Sequence, residues 1–217
     1  TVTFWAGNFV VGKFASLYEV PPFSLNFYRW FFAWLILAPF TLPEIIKKKN
    51  YIINNYKLFI VLGVTSITIF NSIVYYSLNF TQVISGVLMI STIPVMIMFF
   101  SSIFKIEKTN IFQIIGVILS FLGVIIIITK ANFEILKNLN FNKGDITMVI
   151  AMFSWAIYST LLKRQKYEIS QLSLLQVVMS FGLVFLIPIY FIEYQLGFRI
   201  TLDKPFYLIL SYVVLLS

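Results

Sequence analysis

The chain of 217 residues contains no cysteine and no histidine. Without cysteine it has no disulfide framework, no thiolate nucleophile and no Cys-based metal site. Without histidine it also loses the commonest general base and metal ligand. Charge is scarce as well, at 11% of residues, against 60% hydrophobic and a mean hydropathy of +0.94. A soluble domain carries roughly 25% charged residues, so this surface is not built to face water. The same shortage of polar sequence excludes disordered, collagen-like and nucleic-acid-binding classes. What remains is an all-α integral membrane protein.

The excess of 16 Lys+Arg over 8 Asp+Glu is explained by position, because most of the basic residues lie between apolar runs. A membrane-crossing helix needs about 20 mostly apolar residues. Seven segments meet that length, or would with a complete start, and an eighth begins: about 1–17, 23–42, 58–80, 83–104, 111–129, 145–162, 172–192 and from near Pro205. Pro43 is expected to close the second span, and Pro94 and Pro188 to kink the spans that hold them. The runs are continuous and twice the length of a barrel strand, which excludes a β-barrel. Three connections carry Lys47, Lys48, Lys49, Lys57, Lys105, Lys108, Lys163, Arg164 and Lys166, and the opposite side carries Lys130, Lys137, Lys143, Arg199 and Lys204 over longer loops. By the positive-inside rule the first set, and with it the amino terminus, is expected in the cytoplasm.

Trp5-Ala6 with Lys13 recurs at the same spacing as Trp155-Ala156 with Lys163. The copies fall on spans one and six, which cross in opposite directions, so any repeat of five spans is an inverted one. Such repeats are found in secondary transporters, with the site between them near the midplane.

At this point a family pattern emerges. The stretch Thr81–Val95, with Gly86 and Pro94-Val95, is followed by Ile106-Glu107-Lys108, Gln113–Gly116 and Gly123-Val124. Together with span one (Trp5 to Lys13), Arg29 in span two and Gly144-Asp145, it resembles the EamA-type branch of the drug/metabolite transporter superfamily. It departs from that pattern at Lys105-Ile106-Glu107, where the family often has Gly-Glu. The resemblance implies two inverted five-helix units (5+5 spans) with both termini cytoplasmic: 1–130, its start truncated, and 144–217, truncated after the start of its third helix. On that template about seven and a half spans are present.

Polar groups in mid-span are costly in lipid and usually face a cavity or another helix. Thr68, Asn71 and Tyr75 share one face of span three, with Asn79 extending it and Ser72 and Tyr76 beside it. Asn8 and Trp5 share a face of span one, and Trp155 and Tyr158 occupy similar offsets on span six. Ser85 and Thr92 on span four, and Gln176 and Ser180 on span seven, complete the polar set. The expected substrate cavity is therefore lined by Trp5, Asn8, Asn71, Tyr75, Thr92, Trp155, Tyr158 and Gln176. Arg29, the one charge well inside a span, could hold a substrate anion or snorkel to headgroups. Lys13 and Lys163, at opposite faces, could act as gates or as headgroup anchors. Asp and Glu are expected only at span ends (Glu19, Asp145, Glu193), which favours facilitated diffusion or exchange over proton coupling.

The reading that follows is a secondary transporter moving small organic metabolites, amino acids or related compounds, outward by alternating access. Its partners would be a small-molecule substrate and membrane lipid, not nucleic acid, with no cofactor and no metal. A non-transporting scaffold or channel-like protein is the alternative. A membrane-embedded lipid enzyme fits worse, for want of a nucleophile, base or metal set. Richness in Ile, Lys, Asn and Phe suits an AT-rich bacterial genome and hence a multi-pass protein of the inner (plasma) membrane.

Overall fold

The computed structural model describes residues 2–106, 110–129, 134 and 142–216; within its helices, the side chains of residues 2–5, 84, 85, 87, 88, 124 and 127–129 are not described. Glu107, Lys108, Lys130 and Lys137 of the sequence reading lie outside the described residues, as do the side chains of Trp5, Ser85 and Val124. The architecture is a bundle of helices, with no strand among the described residues.

Span one is α1 (Val2–Leu17) and span two is α2 (Pro22–Lys47). Pro43, expected to end span two, lies inside α2, as does Pro39. A proline removes one N–H, but neighbouring packing can tolerate that loss in a membrane helix. Two short helices, α3 (Lys49–Asn54) and α4 (Tyr56–Gly63), lead into a π-helical stretch (Val64–Asn71) and then α5 (Ser72–Ser77). From Tyr56 to Ser77 these form span three, and 61% of its most apolar window is buried, against 11% for α2. Span three is therefore an inner helix and α2 a peripheral one.

Span four breaks into α6 (Val83–Ile90) and α7 (Ile93–Ile103). The break falls just before Pro94, which takes a position in the first turn of α7, where its missing N–H costs nothing. Pro188, in contrast, leaves its helix unbroken. Then come α8 (Ile111–Thr129), α9 (Lys143–Leu162), α10 (Gln171–Gln195) and α11 (Lys204–Leu215). The start of α9 is set by a capping box: the Asn142 side chain accepts from Gly144 N and Asp145 N, and Asp145 returns a bond to Asn142 N.

The surface is apolar where a soluble protein's would be polar. On α8 alone Ile111, Phe112, Ile118, Leu119 and Ile126 are all more than half exposed. Helices α2, α9, α10 and the Tyr56–Ser77 segment are each long and apolar enough to cross a membrane.

The most extensive helix pair is α2 against α10, and it is clasped at both ends. The Glu193 carboxylate near the end of α10 accepts from Phe23 N at 3.2 Å, Ser24 N at 2.6 Å and Ser24 Oγ at 2.6 Å at the start of α2. The Glu44 carboxylate near the end of α2 accepts from Ser170 N at 2.9 Å, Ser170 Oγ at 2.5 Å and Ser173 Oγ at 2.6 Å at the start of α10. The two helices are thus antiparallel, and each satisfies the free N-terminal donors of the other. Their sequences correspond position for position at these points. Serine is the third residue of both helices (Ser24, Ser173), proline the eighteenth (Pro39, Pro188) and glutamate the twenty-third (Glu44, Glu193).

Small residues bring α10 onto span three. A Cβ on Gly63 would stand 2.6 Å from Gly182 N, and one on Gly182 would stand 2.5 Å from Ile67 Cβ. Backbones approach this closely in membranes where glycine removes the side chain between them.

Candidate functional site

The π-helical stretch organises the polar interior. Its wider turn breaks the ordinary helical ladder and leaves carbonyls free for side-chain donors, a feature common at functional sites. Three of these carbonyls are used. Thr65 O accepts from Ser154 Oγ at 2.7 Å, Ser66 O from Asn71 Nδ2 at 2.7 Å, and Ile67 O from Asn26 Nδ2 at 2.9 Å. The donors come from α9, from the stretch itself and from α2. The stretch also divides the polar face expected for span three, because a π turn shifts the register between positions i and i+3. Thr68 donates to Gly182 O on α10 at 2.8 Å, whereas Asn71 and Tyr75 turn toward α2.

There they meet Arg29. Its Nη1 donates to Asn71 Oδ1 at 2.8 Å and to Tyr75 Oη at 2.9 Å. Tyr75 in turn donates to Asn8 Oδ1 on α1 at 2.9 Å. Arg29 is 4% exposed, so the snorkelling alternative is ruled out: the guanidinium points into the bundle and sits 4.7 Å from the centre of the Trp30 ring. Asn8, Asn71 and Tyr75 are buried with it. The chain Arg29–Tyr75–Asn8, with a branch from Arg29 to Asn71, links α1, α2 and span three in one network. Every hydrogen-bond acceptor that Arg29 uses is neutral.

The other expected site residues stand elsewhere. Thr92 Oγ1 donates to Met89 O at 2.6 Å, closing the break in span four. Trp155 packs against Phe70, with ring centroids 4.5 Å apart, and against Tyr158 at 5.1 Å. Gln176 is fully buried and donates from Nε2 to Trp34 O at 3.2 Å, while Ser180 Oγ accepts from Trp34 Nε1 at 2.8 Å. These two residues therefore tie α10 to α2. Lys13 Nζ donates to Leu78 O at 2.7 Å and Thr81 O at 3.0 Å. It serves carbonyls where span three ends. Lys163 lines a cavity of about 400 Å³ with Ser91, Ser101 and Gln113.

Cavities lie at both ends of the bundle. At the Pro21 end, a space of about 740 Å³ is lined by Glu19, Phe23, Tyr76, Asn79, Glu193 and Arg199, among others. At the Lys48 end, one of about 700 Å³ is lined by Tyr158, Gln165, Lys166, Tyr167 and Gln171. Burial, aided by Tyr51 and Tyr158, pushes the Tyr167 phenol up to about 12, so it stays neutral in the physiological range. Trp30, the neighbour of Arg29, belongs to the same apolar cluster as Tyr158 and Tyr167.

Two glutamates have a clasping part that the sequence reading did not assign. Glu193 was placed at a span end, and there it is 6% exposed and bonded to the start of α2. Glu44 was not singled out at all. The signal that finds them is the shared position of Ser, Pro and Glu in α2 and α10.

Comparison with known proteins identifies the family. The model of the EamA-like transporter family matches residues 1–129. The chain belongs to that family. It is 26% identical over 191 residues to an uncharacterized transporter of Archaeoglobus fulgidus, covering 87% of the chain and 63% of that protein. It is 28% identical over 142 residues to the uncharacterized transporter YyaM of Bacillus subtilis, covering 65% of the chain and 47% of that protein. The chain thus spans about half to under two thirds of the length of these curated relatives. No solved structure matches it. The family and the apolar helices together make this a multi-pass membrane protein of a transporter family.

Proposed function

We propose that this chain forms part of a secondary transporter that moves small organic metabolites, amino acids or related compounds, across the membrane by alternating access, in the outward direction. The observation that carries the reading is the buried network of Arg29, Asn71, Tyr75 and Asn8, with cavities toward each end of the bundle. A charged group and three polar ones in the interior of a membrane bundle are expensive to keep there, and such groups mark substrate or ion pathways.

Two further features support the mechanism. The reciprocal clasps of Glu44 and Glu193 relate α2 to α10 as antiparallel counterparts, which adds to the recurrence of Trp5 and Lys13 at Trp155 and Lys163. This correspondence supports two inverted units, 1–130 and 144–217, able to rock against each other. The basic loops at the Lys48 end favour a cytoplasmic location for that end and for the amino terminus, in a bacterial inner membrane.

The test is uptake and efflux of a labelled amino-acid panel in proteoliposomes of the full-length protein, with and without a pH gradient. Saturable flux, abolished by Asn71→Ala and reduced by Trp155→Ala, supports the proposal. Absence of flux for every solute contradicts it.

A further inference from the structure

Charge balance around Arg29 points to a substrate class. The guanidinium has five N–H groups, and the two bonds it makes both leave from Nη1. Its Nε and Nη2 donate to no acceptor among the described residues. Among the described residues no carboxylate meets it either: Glu193 is engaged with Phe23 and Ser24, Glu44 with Ser170 and Ser173, and Asp145 with Thr81 and Asn142. The Nε1 of Trp30, beside the guanidinium, is buried and also has no partner among the described residues. A buried cation held by neutral oxygens and an indole face has no counter-charge among the described residues to offset its burial.

We infer that the missing partner is the substrate itself, and that this substrate carries a single carboxylate, bound by the free edge of Arg29. This rests on the transporter reading and adds the chemical class of what is carried. The planar fork of the guanidinium fits a carboxylate with two parallel bonds. One charge is specified because Arg29 is the one cation among the described residues that reaches the network. Lys13 is committed to the carbonyls of Leu78 and Thr81, and Lys143 lies over the Phe80 ring at 3.7 Å. A carboxylate pairs with the guanidinium one to one, while a phosphate dianion would bring a second negative charge that no described group of the network balances.

The test uses matched pairs of a monoanion and its neutral amide: phenylacetate against phenylacetamide, N-acetylleucine against N-acetylleucinamide, with phenyl phosphate as the dianion. Binding to the full-length protein is followed by tryptophan fluorescence and by the shift in melting temperature. The carboxylate member of each pair is expected to bind about tenfold more tightly or better, from the charge-assisted bonds. Arg29→Gln removes that preference. Asn8→Asp keeps the acceptor for Tyr75 but adds an internal counter-charge, and lowers carboxylate affinity about tenfold without changing that of the amides. The Asn8→Asp variant also carries the test should Arg29→Gln fail to fold. A wild-type protein with no carboxylate preference, an Asn8→Asp protein that keeps it, or tighter binding of phenyl phosphate overturns the inference. Saturable flux without carboxylate preference overturns this inference alone. Carboxylate-selective binding with no flux of any solute upholds the site and overturns the transport reading.

Discussion

Replacing Glu193 by alanine would remove the acceptor for three donors at the start of α2: Phe23 N at 3.2 Å, Ser24 N at 2.6 Å and Ser24 Oγ at 2.6 Å. Hydrogen bonds to a charged group are worth about 1.5–3 kcal/mol each, and a buried donor left unsatisfied costs about 1–3 kcal/mol. Water from the adjoining 740 Å³ cavity can replace part of this, most easily at Phe23, whose bond is the longest. The expected net loss is about 2–4 kcal/mol of stability, within the range for breaking a buried network. Glu193→Gln keeps one carbonyl oxygen for Ser24 and loses the charge, at about 1 kcal/mol. The assay is equilibrium unfolding of the full-length protein in bicelles, paired with peptide-resolved hydrogen exchange. The account requires faster exchange at Phe23 and Ser24 in Glu193→Ala, with the α10 start unaffected. Glu44→Ala should show the mirror pattern at Ser170 and Ser173, with a smaller effect on stability because bonds in that clasp lie nearer the surface. Equal stability of Glu193→Ala and wild type, or a larger loss from Glu44→Ala, would refute the reasoning.

Other substitutions separate packing from chemistry. Gly182→Ala would place a Cβ 2.5 Å from Ile67 Cβ and should cost about 1–3 kcal/mol by overpacking, read by the same unfolding assay. Tyr75→Phe removes the bridge between Arg29 and Asn8 at about 1–3 kcal/mol, and should abolish saturable flux even where the protein remains monodisperse. Lys13→Met leaves two span-end carbonyls without their donor; exchange at the start of span four should quicken while substrate affinity stays constant. The Tyr167 phenol, pushed up to about 12 by burial, makes a contribution to stability that is complete below the ordinary tyrosine value of about 10. That contribution is lost as pH rises from there through about 12. Absorbance titration of wild type against Tyr167→Phe would show it as a late-titrating phenol.

The spans were legible because length and continuity of apolar sequence are what a bilayer demands. Pro94 marked the break in span four, where it takes a first-turn position in which its missing N–H costs nothing. Pro43 misled, because α2 continues through it to Lys47 where packing absorbs the lost bond. Asn71, Tyr75 and Asn8 were recognisable as costly mid-span groups, and Arg29 as the lone interior charge. That they converge was not legible, because the π-helical stretch resets the register of span three and periodicity alone assumes an ordinary helix. Thr68 shows this most clearly, leaving the Asn71 face to bond α10. The clasps escaped for another reason. Glu44 and Glu193 lie near helix ends, where a single glutamate reads as solvated, and their importance exists only in the pairing of α2 with α10.

In the proposed mechanism the Arg29–Asn71–Tyr75–Asn8 network lies on the transport path. This is tested most directly by placing a single cysteine at Asn8 in a full-length protein otherwise free of cysteine. Reaction with membrane-impermeant thiol reagents is then measured from each side, with and without transported solute. Alternating access predicts labelling from both sides and protection by solute. A cysteine that never reacts from either side, in a protein that still transports, would contradict it.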